Sequence, residues 1–202
     1  MDRTGVTKKG FSGFLVLWFL VLILFVLTGC TVHITKNISK KLDQDALYGA
    51  FNVNPNDLSL SSKCNAPPTV KIINIENRIE DYGVLQSLPF IAVINPKEMM
   101  DSVCLYLKDG FEKSRIKGDD QSSKVIQVKM DSLKIENVKT FGSSFKIELI
   151  IPETSFTKFY EAKDKPKNGY DSSAYAASAY AMHSVTRQII EDPIIQNYIL
   201  CR

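Results

Sequence analysis

Hydrophobic positions along this 202-residue chain change their period several times, and each change predicts a new element. Thr69-Val-Lys-Ile-Ile-Asn-Ile75 is rich in β-branched residues and predicts a strand. The polar stretch from Glu76 to Gly83 predicts a loop closing in a turn at Tyr82-Gly83, and the apolar run Leu88 to Ile94 predicts a second strand. Asn95-Pro96-Lys97-Glu98 then announces a helix, with Asn95 as N-cap, proline in the first turn and a glutamate three residues after the cap. Met100, Val103, Cys104, Leu107 and Phe111 recur at steps of three and four, so the helix is expected to end near Glu112 or Ser114, before a turn at Gly118-Asp119-Asp120.

From Lys124 to Val138 the period becomes two. Ile126, Val128 and Met130 alternate with Gln127, Lys129 and Asp131, but Leu133 and Ile135 continue the apolar face one position out of phase. That change of parity predicts a β-bulge or bend near Asp131-Ser132. Phe141-Gly-Ser-Ser144 predicts the hairpin turn, Phe145, Ile147, Leu149 and Ile151 the returning strand, Pro152 its end, and Phe156 to Ala162 one more short strand. Tyr175, Ser178, Met182, Val185 and Ile189 return to helical spacing, and Asp192-Pro193 breaks that helix before a short apolar tail, Ile194 to Leu200. The pattern predicts an α+β fold: a small antiparallel or mixed sheet of about four to five strands with two main helices packed on it.

The front of the chain is different. Arg3, Lys8 and Lys9 precede an uncharged apolar block from Phe14 to Leu27, the arrangement of an export signal. Fourteen residues at about 1.5 Å each reach roughly 21 Å, short of the ~30 Å a spanning helix crosses. An uncleaved anchor that includes Phe11 to Gly13 is the alternative. Leu27-Thr28-Gly29-Cys30 follows the block: a leucine, two small residues and a cysteine. This resembles the lipobox of bacterial lipoproteins. The resemblance implies diacylglycerol on the Cys30 thiol, cleavage just before it, and a membrane anchor that two or three acyl chains make effectively permanent. Thr31 stands where aspartate would resemble an inner-membrane retention signal, so an outer-membrane site facing the periplasm is expected.

The expected organisation is a signal at 1–29, a lipidated N-terminus and polar tether at 30–68, and a single periplasmic domain at 69–202. Loss of residues 1–29 removes three basic residues and Asp2, leaving 22 basic against 21 acidic. That balance gives no reason to expect a nucleic-acid partner. Three cysteines remain besides Cys30. Cys104 falls on the helical stripe and reads as a buried apolar residue, which leaves Cys64 and Cys201 as a candidate disulfide joining the ends of the domain.

Candidate chemistry is sparse. The only histidines are His33 and His183, neither with a partner at metal-ligand spacing, and the sequence has no Cys-x-x-Cys pair, phosphate-binding glycine loop or nucleophile elbow. No metal or other cofactor is expected. Asp119-Asp120 and Glu191-Asp192 fit turn and helix-end roles, and His183 a helix surface. Arg78, beside Glu80-Asp81 in a loop, and Tyr170 and Tyr180 are candidate partner-surface residues. Tyr175 fits the core.

A lipobox, a tether and then strand, helix, long hairpin and final helix, with Ile75-Glu-Asn-Arg78 and Gly83 after the first strand and Leu107-Lys-Asp-Gly-Phe111 ending the first helix, is similar to YajG-like periplasmic lipoproteins. It also resembles auxiliary lipoproteins of envelope lipid-transport systems. The resemblance spans roughly residues 69–192 and implies a non-enzymatic role, binding or supporting an envelope protein complex. A lipid or small-ligand carrier is the alternative, and an unrecognised hydrolase a third.

Overall fold

The computed structural model describes residues 30–33, 68–87, 90–137, 141–164 and 174–200. The elements in order are β1 (Cys30–His33), β2 (Thr69–Asn74), β3 (Tyr82–Ser87), β4 (Phe90–Ile94), α1 (Pro96–Lys113), β5 (Lys117–Gly118), β6 (Val125–Asn137), β7 (Phe141–Ile151), β8 (Phe156–Asp164), α2 (Ala174–Glu191) and α3 (Pro193–Ile199). A five-stranded mixed sheet has the order β5-β2-β6-β7-β8, and a three-stranded sheet the order β1-β4-β3. The expected α+β class is observed.

Alternation decides which face of the large sheet is covered. Ile126, Val128 and Met130 of β6 and Phe145, Ile147, Leu149 and Ile151 of β7 are all buried. They pack under the α1 stripe of Met100, Val103, Leu107 and Phe111 and the α2 stripe of Met182, Val185 and Ile189, every one of them fully enclosed. Small residues at Ala177, Ser178 and Ala181 let α2 lie close to β7, where the buried Ser143 hydroxyl donates to the Ala177 carbonyl at 2.6 Å. The register of β6 against β7 shifts between Met130 and Ser132, at the predicted bulge, and brings Leu133 and Ile135 back to the core side.

The opposite face meets water with alternating charge. Lys129 and Glu148 stand opposite each other across β6 and β7 and pair at 2.9 Å, and Lys146 pairs with Asp131 at 3.1 Å. Lys146 also lies over the Phe159 ring, 4.4 Å from its centre, and so shields an exposed phenylalanine of β8. Paired charges of this kind keep an open sheet face soluble.

Helix α1 starts as predicted. The Asn95 side chain accepts from the Glu98 amide at 3.1 Å, with Pro96 in the first turn. Its end is a Schellman motif: the Ile116 amide donates to the Phe111 carbonyl and the Arg115 amide to that of Glu112, both at 2.9 Å. The residue that must turn left-handed is Arg115, at φ 63°, where glycine is the usual occupant. Left-handed backbone costs a side-chain-bearing residue about 1–2 kcal/mol, and the extra freedom of glycine in the unfolded chain offsets about 0.4–1 kcal/mol of that. Arg115→Gly is therefore expected to raise stability by about 0.5–1 kcal/mol, read as a higher urea midpoint with an unchanged slope.

Three expectations need correction. Tyr82 to Ser87 is a strand paired antiparallel with β4, where a turn at Tyr82-Gly83 was expected. Phe141 to Ser144, expected as the hairpin turn, belong to β7 and pair with Asn137 to Lys134 of β6, and 138–140 lie outside the described residues. The C-terminal tail is the helix α3, which Asp192 caps by accepting from the Ile194 amide at 2.8 Å. Residues 30–33, within the span expected as a tether that docks in places, form an edge strand parallel to β4.

Candidate functional site

Two polar clusters are built into the domain. The first follows β2. Glu76 is buried, and its carboxylate receives the Arg78 guanidinium in a two-pronged pair, Nε to Oε1 at 2.8 Å and an Nη to Oε2 at 2.6 Å. The Arg78 and Met130 amides also donate to it, at 3.0 and 3.2 Å. Arg78 reaches on to the Met130 carbonyl, so the pair grips β6 at its bulge. These bonds, led by the Arg78 guanidinium, outweigh burial and hold the Glu76 carboxyl at about 2 against an ordinary 4.5. The same loop is fastened to the start of α1: the Asn74 side chain donates to Asp101 at 2.6 Å, Asn95 to the Ile79 carbonyl at 2.6 Å, and the Lys97 amide to the Arg78 carbonyl at 3.1 Å.

The second cluster closes the far end of the domain. Asp192 is buried, and its Oδ2 accepts from the Tyr160 hydroxyl and from Lys158, both at 2.6 Å, while Oδ1 caps α3. Burial pushes the Asp192 carboxyl up, but the bonds from Lys158, Tyr160 and the Ile194 amide hold it below its ordinary value. Burial first, then the bond to Asp192, raises the Tyr160 phenol above its ordinary range. A tyrosine, an aspartate and a lysine at these distances look like proton-transfer machinery, yet every Asp192 oxygen is engaged in holding β8 to α3.

Among the described residues, two grooves lie on the surface. One of about 870 Å³ follows the open face of β6, β7 and β8 and is lined by Asp131, Lys134, Glu136, Lys146, Glu161 and Lys163 among others. Three acids face three bases there, and pairs such as Lys146 with Asp131 neutralise one another, so the groove selects neither sign of ligand. The other, of about 320 Å³, runs between α1 and the β2–β5 edge and brings together Val70, Ile72, Cys104 and the exposed Leu105 with Lys108 and Asp101. Cys104 is half-buried, and burial, then Asp101, raises its thiol to about 12, so it is a packing residue at neutral pH.

No protein-family model matches the chain, and no curated protein is significantly similar to it in sequence. Among solved structures, the chain is similar to protein XCC0632 from Xanthomonas campestris, of family DUF330, at 12% identity and a TM-score of 0.47, covering 66% of this chain and 90% of that one. It is similar to a minor lipoprotein from Acinetobacter baumannii at 7% identity and a TM-score of 0.29, covering 67% and 92%. An uncharacterized protein follows at 10% identity and a TM-score of 0.35, covering 60% and 87%. All three scores fall below 0.5, and function rests on the chain's own residues.

Among the residues singled out from sequence, Cys30 lies at the start of β1, opposite Phe90 of β4. Arg78 belongs to the Glu76 pair, with 47% of its side chain still exposed. Tyr180 is exposed on α2, and His183 is half-buried there. Cys64, Cys201 and Tyr170 lie outside the described residues, as do the apolar block and residues 34–67. Among the described residues, no helix is long and apolar enough to cross a membrane and no group of metal-ligating side chains gathers. Sequence reasoning missed both polar clusters. The available signals were opposite charges two apart immediately after a strand, and an Asp-Pro pair that begins a helix as readily as it ends one.

Proposed function

We propose that this protein is a lipoprotein of the bacterial envelope, cut before Cys30, anchored by lipid on that cysteine, and acting without catalysis as a domain that binds or supports an envelope protein complex. The observation that carries the reading is Leu27-Thr28-Gly29-Cys30 at the end of a basic-then-apolar leader. Small residues at 28 and 29 suit a narrow peptidase cleft, and the Cys30 thiol is the one strong nucleophile beside it. Thr31 favours the outer membrane, facing the periplasm. The firmly packed domain supports a binding role, because its buried carboxylates brace strands and helices.

The partly apolar groove beside Leu105 favours a second reading, a carrier of lipid or another small ligand. Intact mass of the chain extracted from membranes tests the foundation. The wild type is expected to lack residues 1–29 and to carry the added mass of diacylglycerol with or without a third acyl chain. Cys30→Ala is expected to keep the leader and gain no lipid. A wild-type chain of unmodified mass that retains residues 1–29 overturns the reading. Crosslinking in membranes that recovers one envelope complex supports the binding role, and native mass spectrometry that retains lipid in the groove supports the carrier.

A further inference from the structure

We infer that the anchor has no slack: the lipid leaves the chain from within the folded domain, which rides directly on the bilayer surface by the Cys30 end of its three-stranded sheet. The inference rests on lipidation at Cys30 and goes beyond it. Cys30, Thr31, Val32 and His33 pair in parallel with Phe90, Ile91, Ala92 and Val93. The strand they join is packed into the core of the domain. Ala92 and Ile94 are buried in the core, and Ile94 runs straight into the capped start of α1. An acyl chain on Cys30 is therefore attached to a residue of the sheet itself.

Sheet geometry sets how far from the membrane the domain can stand. Strands lie about 4.8 Å apart and rise about 3.3 Å per residue. Tyr82 pairs with Ile94, two strands across from β1 and four residues along from Phe90. Its Cα then lies roughly 16 Å from that of Cys30. Two more residues of extended chain place Glu80 no more than roughly 23 Å from the anchor, and this limit holds whatever the tilt of the domain. A free tether through residue 67, with the 38 residues from Cys30 onward unpaired, has a root-mean-square span of roughly 31–37 Å. Residues 34–67 follow β1 in the chain, so they do not join the lipid to it. The surface opposed to the lipid headgroups is the end of the sheet where β1 and β4 begin.

The test uses the full lipidated chain in vesicles of phosphatidylethanolamine and phosphatidylglycerol, with a fluorescent donor introduced at the exposed Glu80 through a non-canonical amino acid and a short-range acceptor on the headgroups. Insertion of twelve Gly/Ser residues directly after Cys30 adds a span of roughly 17–21 Å to an anchor without slack. It adds only about 5 Å to the mean span of a free tether that is already long. The expected result is at least a twofold fall in transfer efficiency on insertion, and a similar fall for Val32→Pro with His33→Pro, a pair that removes the amide facing β4 whichever residue supplies it. Equal transfer in the wild type and both variants overturns the inference. Intact mass taken before reconstitution separates the two levels: a chain without lipid refutes the lipoprotein reading, whereas a lipidated chain insensitive to both changes refutes only the missing slack. Circular dichroism of the insertion variant, which leaves residues 31–33 able to pair, is expected to match the wild type.

Discussion

Arg78→Ala is expected to destabilise the domain by about 3–5 kcal/mol, the usual cost of removing one partner from a buried ion pair. Glu76 is the reason. Its carboxylate is 3% exposed, and without the guanidinium it keeps only the Arg78 and Met130 amides. Arg78, with 47% of its side chain exposed, rehydrates more readily, so Glu76→Ala should cost less than Arg78→Ala. The same pair sets an acid limit on stability. A carboxyl held at about 2 when folded and near 4.5 when unfolded contributes fully above pH 4.5 and loses its contribution as pH falls toward 2. The difference corresponds to about 3 kcal/mol. Chemical denaturation at pH 7 and at pH 3 checks both points: the wild type should lose much of this margin between them, and Arg78→Ala should lose little more. An Arg78→Ala variant as stable as the wild type at pH 7 would refute the clamp.

Asp192→Ala is expected to cost about 2–4 kcal/mol, combining loss of a helix cap at about 1 kcal/mol with an unpaired buried hydroxyl at about 1–3 kcal/mol. The hydroxyl is that of Tyr160, which is buried and donates to Asp192 at 2.6 Å. Asp192→Asn retains an oxygen for the Ile194 amide and should cost about half as much. Because the folded carboxyl lies below its ordinary 3.8, its contribution is present above that pH and fades only under stronger acid. Limited proteolysis supplies a local readout. Early cleavage after residue 192 is expected in Asp192→Ala, and unchanged protection of α3 would count against the capping role.

Local chemistry made some of this structure legible. The start of α1 is written in four adjacent residues, since an N-cap bond joins positions three apart. The bulge in β6 is legible because side chains alternate strictly, and Met130 and Leu133 cannot share a face in an unbroken strand. What escaped depends on distant partners. Tyr82-Gly83 reads locally as a turn and becomes the start of a strand only because β4 lies beside it. Ser143 has a turn residue's composition, but Ala177 of α2 accepts its hydroxyl and holds it inside β7. Helix α3 is seven residues long, too short to display a period. The Glu76 cluster was half visible, since Arg78 stood out in a loop, but the Met130 carbonyl that occupies it comes from another strand. Cys30 is the opposite case: its proposed chemistry is read from four contiguous residues, while its place opposite Phe90 had no local sign.

That placement orders events in time. Parallel pairing of β1 requires Phe90, sixty residues further along the chain, so the strand cannot form while an exported chain has delivered only its first part across the membrane. Until β4 arrives, Cys30 has no strand to pair with and would be open to the modification proposed for it. Once α1 docks behind β4, the same residue is fixed in the edge strand of a sheet. The proposed acylation of Cys30 would therefore race folding, with the long non-local closure of β1 as its head start.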